Sequence, residues 1–125
     1  MRAAQLTAPR QWELIETDKP EPVDGQILGG MERVAVCGSD QPPFCGVHKG
    51  YPQPIGTTGH EGLGIVEACP SGRYQEGERV LLWGFDRGLF QEYVLADDKG
   101  GCIRLPTDLP EEKVLMSQLL GTVIH

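Results

Sequence analysis

Apolar residues along the chain fall into short runs of β character separated by glycine, proline and acidic residues. Arg2 to Leu6 and Trp12 to Glu16 read as two opening strands joined by a turn at Pro9, and the charged, proline-rich stretch Asp18 to Gly25 reads as a loop. From Gln26 to Val36 the alternation returns through Ile27, Val34 and Val36, with Gly29 and Gly30 marking a bulge or a close backbone approach. Further strands are expected at Gly64 to Ala68, Arg79 to Trp83, Phe90 to Leu95 and Cys102 to Leu105. Between Gly38 and Thr58, Pro42, Pro43, Pro52 and Pro54 rule out more than a short helical turn. After Pro106 the period changes. Asp108 with Glu111 resembles a capping box, Pro110 suits a first helical turn, and Val114, Leu115, Leu119, Leu120, Val123 and Ile124 form one broad apolar face. The fold class is therefore mostly β with a C-terminal helix.

Composition narrows the function classes. A chain of 125 residues with 39% hydrophobic residues buries one core rather than two. Seventeen glycines and ten prolines suit many turns between short strands. The formal charge of -7 and the absence of any Lys/Arg cluster argue against nucleic acid and against acidic lipid surfaces, because both need clustered cations. No apolar run has the length of a bilayer span or of a signal-peptide core, so a cytoplasmic protein without membrane contact is expected. Cys37, Cys45, Cys69 and Cys102 are irregularly spaced, which suits reduced thiols and one metal ligand better than a disulfide framework.

Cys37-Gly38-Ser39-Asp40 follows one expected strand and Gly59-His60-Glu61-Gly62 precedes another, so a thiolate and an imidazole meet at one end of a sheet. Sulfur and nitrogen donors suit tetrahedral zinc, and the adjacent carboxylates of Asp40 and Glu61 can orient the imidazole or bind the metal themselves. Taken singly each residue is weak evidence, since a lone Cys is usually a small buried hydrophobe and a lone His a satisfied polar group. Cys45-Gly46-Val47-His48 also has a metal-ligand spacing, but without a second pair it reads as an ordinary loop. Cys69 and Cys102, in or beside strands, read as buried. Trp83 and Phe85 are candidates for a substrate cleft, although aromatics at strand ends more often join the core.

The strand-Cys37-Gly38-Ser39-Asp40 element, Gly59-His60-Glu61 with Gly64, Gly77-Glu78-Arg79-Val80, and Gly88-Leu89-Phe90-Gln91-Glu92-Tyr93-Val94 occur in the order and approximate spacing of the medium-chain dehydrogenase/reductase family. The chain resembles the N-terminal catalytic domain of its zinc-dependent alcohol dehydrogenases. The resemblance implies a GroES-like, partly open β-barrel over residues 1–108 and, at 109–125, the start of a helix leading to a Rossmann domain. It implies Cys37 and His60 as ligands of one catalytic zinc, Glu61 as the acidic residue at the metal, Ser39 as the hydroxyl touching the substrate oxygen, and Asp40 behind the imidazole. The chemistry implied is oxidation of a small-molecule alcohol or polyol to an aldehyde or ketone, with NAD or NADP bound by the Rossmann half.

Departures from the family pattern also carry expectations. The third zinc ligand of the family, a Cys or a Glu, aligns with Gln118, and a neutral amide is a poor zinc ligand. Pro42 occupies the place of the usual relay histidine, which leaves water or His48 to release the proton. The four-cysteine lobe of many relatives is missing, so no structural zinc is expected. No Gly-x-Gly-x-x-Gly follows a strand, so the isolated chain is expected to bind no NAD and to be inactive without a Rossmann domain or a partner subunit that supplies one. A homo-oligomer is compatible with this reading. The competing reading is a non-catalytic GroES-like binding or assembly module, favoured by Gln118 and Pro42 and opposed by the retained donor set. A zinc-independent reductase of the same superfamily ranks third, because it normally lacks the Cys37/His60 pair.

Overall fold

The computed structural model describes residues 1–47, 50–83, 88–106 and 108–124, with the side chains of 118–124 outside that description. The strands are β1 (Arg2–Ala8), β2 (Gln11–Glu16), β3 (Gln26–Val34), β4 (Glu61–Ala68), β5 (Arg79–Trp83), β6 (Tyr93–Asp97) and β7 (Cys102–Arg104). The helices are the single turn α1 (Gln41–Phe44) and the closing α2 (Glu111–Ile124), with a 3-10 turn at Gly38–Asp40. β1 and β2 form a hairpin, and the other strands form an antiparallel sheet in the order β6-β3-β4-β5-β7, curled into a half-barrel. The mostly β, GroES-like, partly open barrel expected from the sequence is the architecture observed. No described helix is long and apolar enough to cross a membrane.

The pleat sorts the core into two clusters. Along β5, Val80 and Leu82 face the barrel interior with Ile27, Val66, Leu89, Val94 and Ala96, whereas Leu81 faces the other way. There it meets Leu63 of β4 and Val114 of α2, so the helix covers the outer face of the central strands. This placement puts Trp83 against the second cluster as a core residue rather than in a cleft. Cys102 is buried and Cys69 packs half-buried against the first cluster, in line with their expected roles. Phe85 and His48 lie outside the described residues.

Several boundaries differ from the pattern-based expectation. β3 ends at Val34 rather than Val36, leaving Val36 76% exposed, because the ladder to β4 runs out there. β4 begins at Glu61, three residues earlier than expected, through pairing of Glu61 with Trp83 and of Gly62 with Leu82. Phe90 and Gln91 precede β6 and reach the hairpin instead, with Gln91 bridged to Ala3 and the Phe90 carbonyl accepting from the Ala4 amide at 2.8 Å. The register of β3 against β4 shifts between Leu28 and Gly29, where the glycine pair suggested a bulge.

Two contacts tie these parts together. Gly56 and Gly88 pass so closely that a Cβ on Gly88 would lie 2.4 Å from the backbone of Gly56 and Ile55, and Gly56 itself has φ +74°. At the hairpin, Glu92 accepts hydrogen bonds of 2.7 Å from the Arg2 backbone amide and from Arg2 Nε. The amide first and the guanidinium second hold the Glu92 carboxyl below its usual range.

Gly88→Ala is expected to destabilise the chain by about 2 kcal/mol or more, through overpacking against backbone that cannot move aside. Gly100→Ala, where the added carbon meets only an ordinary contact at 3.9 Å, is expected to change stability by less than about 1 kcal/mol. Urea midpoints of the two variants check the contrast. A second expectation concerns acid. Because folding lowers the Glu92 pKa, its stabilisation is present above the unfolded carboxylate value of 4.5 and is lost as pH falls through the lower folded value. Glu92→Gln should flatten the fall in urea midpoint on that acid side and leave its slope at neutral pH unchanged.

Candidate metal centre

The antiparallel ladder of β3 and β4 builds this site. Val34 pairs with Gly62, and the Ala35 amide donates to the Glu61 carbonyl at 2.9 Å, which continues the pairing one step past the strand end. Cys37 lies two residues beyond Ala35, and His60 immediately precedes Glu61, so backbone pairing carries both to the same rim. Gly59 allows the approach: a Cβ there would fall 2.9 Å from Val34 Cγ1 and 3.1 Å from the Phe90 ring.

Cys37 then caps the 3-10 turn. Its Sγ accepts from the Ser39 amide at 3.4 Å, and the Asp40 carboxylate reaches back to accept from the Cys37 amide at 2.8 Å. This reciprocal cap fixes the thiol rotamer and places the Ser39 hydroxyl 3.0 Å from Sγ, while Ser39 itself is exposed. Asp40 is thus the reciprocal partner of Cys37 in the cap of this turn.

His60 and Glu61 are buried, and Cys37 is half-buried. His60 Nε2 lies 3.5 Å from Cys37 Sγ and 3.2 Å from Glu61 Oε1, and the three candidate donor atoms lie within 4.8 Å of one another. On the far side of the ring, Nδ1 stands 3.7 Å from Asp40 Oδ1. A single ring N–H at Nε2 cannot satisfy both a thiolate and a carboxylate, and buried Glu61 Oε2 has no hydrogen-bond partner. A cation answers both deficits. With ordinary Zn–S and Zn–N bonds, two corners of a zinc tetrahedron stand about 3.5 Å apart, which the Sγ to Nε2 separation matches. The residues present therefore fit a zinc ion. The side chain of Gln118, the expected third-ligand position, is outside the described residues.

A cleft of about 800 Å³ opens beside Cys37 and Asp40. Trp12, Phe44 and Phe90 wall it, with Trp12 and Phe90 edge to face at a centroid separation of 5.6 Å, and Arg10 also lines it. Ser39 is outside this lining. Neither Arg10 nor Trp12 was singled out from the sequence as a functional residue. The available signal was Arg10 itself, which follows Pro9 at a tight hairpin corner where glycine or asparagine is the usual choice.

Comparison with known proteins identifies the family and the fold. The alcohol dehydrogenase GroES-like domain family matches residues 23–107. Glucose 1-dehydrogenase of Halobacterium salinarum is 32% identical over 75 residues, covering 58% of this chain and 21% of the relative. Galactitol-1-phosphate dehydrogenase from Escherichia coli superposes with a TM-score of 0.84 at 20% identity, covering 100% of this chain and 44% of the other. The apo form of zinc dependent alcohol dehydrogenase 2 from Streptococcus pneumonia superposes with a TM-score of 0.81 at 24% identity, over 99% of this chain and 44% of the other. The chain thus spans less than half the length of these solved relatives, and its match covers about a fifth of the curated one. By sequence match over residues 23–107, this chain belongs to the alcohol dehydrogenase GroES-like domain family.

Proposed function

We propose that this chain is the metal-binding half of a zinc-dependent alcohol or polyol dehydrogenase, with Cys37, His60 and Glu61 holding one zinc ion. The observation that carries the reading is the convergence of three lone-pair donors on one buried point: Sγ of Cys37, Nε2 of His60 and a carboxylate oxygen of Glu61. A small-molecule alcohol is the substrate. NAD or NADP is held by a Rossmann domain or partner subunit outside residues 1–108, and the 125-residue chain alone is inactive as a dehydrogenase. With Gln118 a poor ligand, Glu61 serves as the third protein ligand.

Held by Cys37, His60 and Glu61, zinc would supply a Lewis acid that favours loss of the alcohol proton, and a nicotinamide held outside residues 1–108 would supply the hydride acceptor. The chain's own residues do the rest. Asp40 positions Cys37 through the backbone and faces Nδ1 of His60, which keeps the Nε2 lone pair turned toward Sγ and Oε1. Ser39, exposed and beside Sγ, takes the hydroxyl proton of the alcohol and hands it to solvent, since Pro42 stands where a relay histidine would act.

Purified without chelator, the chain should hold about one zinc per molecule by mass spectrometry or elemental analysis, and Cys37→Ala and His60→Ala should lose it. Glu61→Gln should weaken retention, while Gln118→Ala should leave it unchanged. Equal zinc in the parent chain and all these variants would remove the metal site. Asp40→Ala should weaken zinc affinity by about ten- to a hundredfold, as expected for loss of an orienting carboxylate. It should also lower stability by about 1–2 kcal/mol, because the Cys37 amide loses its acceptor. A competition titration and a urea melt measure the two effects separately.

A further inference from the structure

We infer that the cleft beside Cys37 is a binding site for a small molecule that carries an oxyanion on an apolar or ring-shaped body, with Arg10 as the residue that selects for the charge. The hairpin between β1 and β2 closes at Pro9-Arg10, with Ala8 paired to Gln11. Arg10 has φ +62° and is the sole described non-glycine residue with positive φ. A side chain in this left-handed region is disfavoured, and glycine is the residue that adopts it without strain. The backbone there is fixed by the Arg10 amide, which donates to the Phe44 carbonyl at 2.7 Å and ties the hairpin corner to α1.

The guanidinium held at that corner is exposed and makes no hydrogen bond or ion pair among the described residues. The other described arginines contrast with it: Arg2, Arg33, Arg73 and Arg104 each face a carboxylate within 4.0 Å, and Arg79 donates to the Leu109 carbonyl at 3.2 Å. Arg10 instead lines a cleft of about 800 Å³ whose walls include Trp12, Phe44 and Phe90. Such a volume suits a small molecule, and apolar walls strengthen a charge-assisted pair by keeping water from it. The guanidinium fork matches a carboxylate or phosphate in two parallel bonds.

The acidic group in the lining, Asp40, is buried, its Oδ2 accepts from the Cys37 amide, and it forms no ion pair with Arg10. Thr58, in the same lining, carries a buried hydroxyl without a hydrogen-bond partner. In a protein of net charge -7, an exposed, unpaired cation lining an aromatic-walled cleft places positive charge where an anionic ligand would enter. Selection of the charge does not require the metal, because none of Arg10, Trp12, Phe44 and Phe90 belongs to the donor set, although Cys37 lines the same cleft.

The test is calorimetric titration of the 125-residue chain with 4-methylbenzoate, phenyl phosphate and the neutral 4-methylbenzyl alcohol. At least one of the two anions should bind tenfold or more tightly than the alcohol, and the tighter of them identifies carboxylate or phosphate as the group recognised. Arg10→Gly, which suits the left-handed corner and so keeps the fold, should bring the anions down to the affinity of the alcohol, and Arg10→Lys should retain part of the preference. Equal binding of all three by the parent chain, no binding of any, or a preference that survives in Arg10→Gly would each overturn the inference. The same titrations on Cys37→Ala separate it from the zinc reading: the anion preference should persist there although the zinc is gone, and its loss would overturn the claim of independence.

Discussion

One backbone hydrogen bond, from the Ala35 amide to the Glu61 carbonyl, decides where the chemistry sits. It extends the β3–β4 ladder beyond its last regular pair, and side chains on the two departing segments have little freedom to be anywhere but opposite each other. Cys37 and His60 are 23 residues apart in the chain, and closing that loop costs entropy that neither side chain could offset alone. The sheet bears this cost through two buried clusters, one inside the half-barrel and one between β4, β5 and α2. Donor geometry is thus inherited from core packing, which explains how a thiol, an imidazole and a carboxylate remain together at a partly buried point without a disulfide or a covalent clip.

The same arrangement leaves an electrostatic debt at the rim. Glu61 and Asp40 are both buried, and each keeps an oxygen without a hydrogen-bond partner. Burying carboxylates in this way is destabilising unless positive charge is supplied, and the divalent ion proposed among Cys37, His60 and Glu61 would supply it. On this view the metal contributes to folding as well as to catalysis, since the ligands are assembled only in the folded state.

Much of this was legible in the amino-acid pattern, for physical reasons that also explain the misses. β5 was readable to its last residue, because Arg79 to Trp83 alternates inward and outward and is bounded by polar turns. The meeting of Cys37 with His60 was readable because each flanks a strand end. What a period of two cannot reveal is where a ladder stops: Val36 continues the apolar alternation yet is exposed, since no partner strand extends to it. Nor can it show which face a helix will cover. Trp83, a candidate for a cleft or for the core, packs against the cluster that α2 covers. Arg10 escaped notice because its significance lies in a backbone angle and in the absence of a partner, and the Pro9-Arg10 corner hints at the first alone.

X-ray absorption at the zinc edge of the metal-loaded chain tests the central claim most directly. The account predicts a first coordination sphere with one sulfur at about 2.3 Å and one imidazole nitrogen at about 2.0–2.1 Å, completed by oxygen. A sphere of oxygen and nitrogen alone, or one with two or more sulfurs, would contradict it.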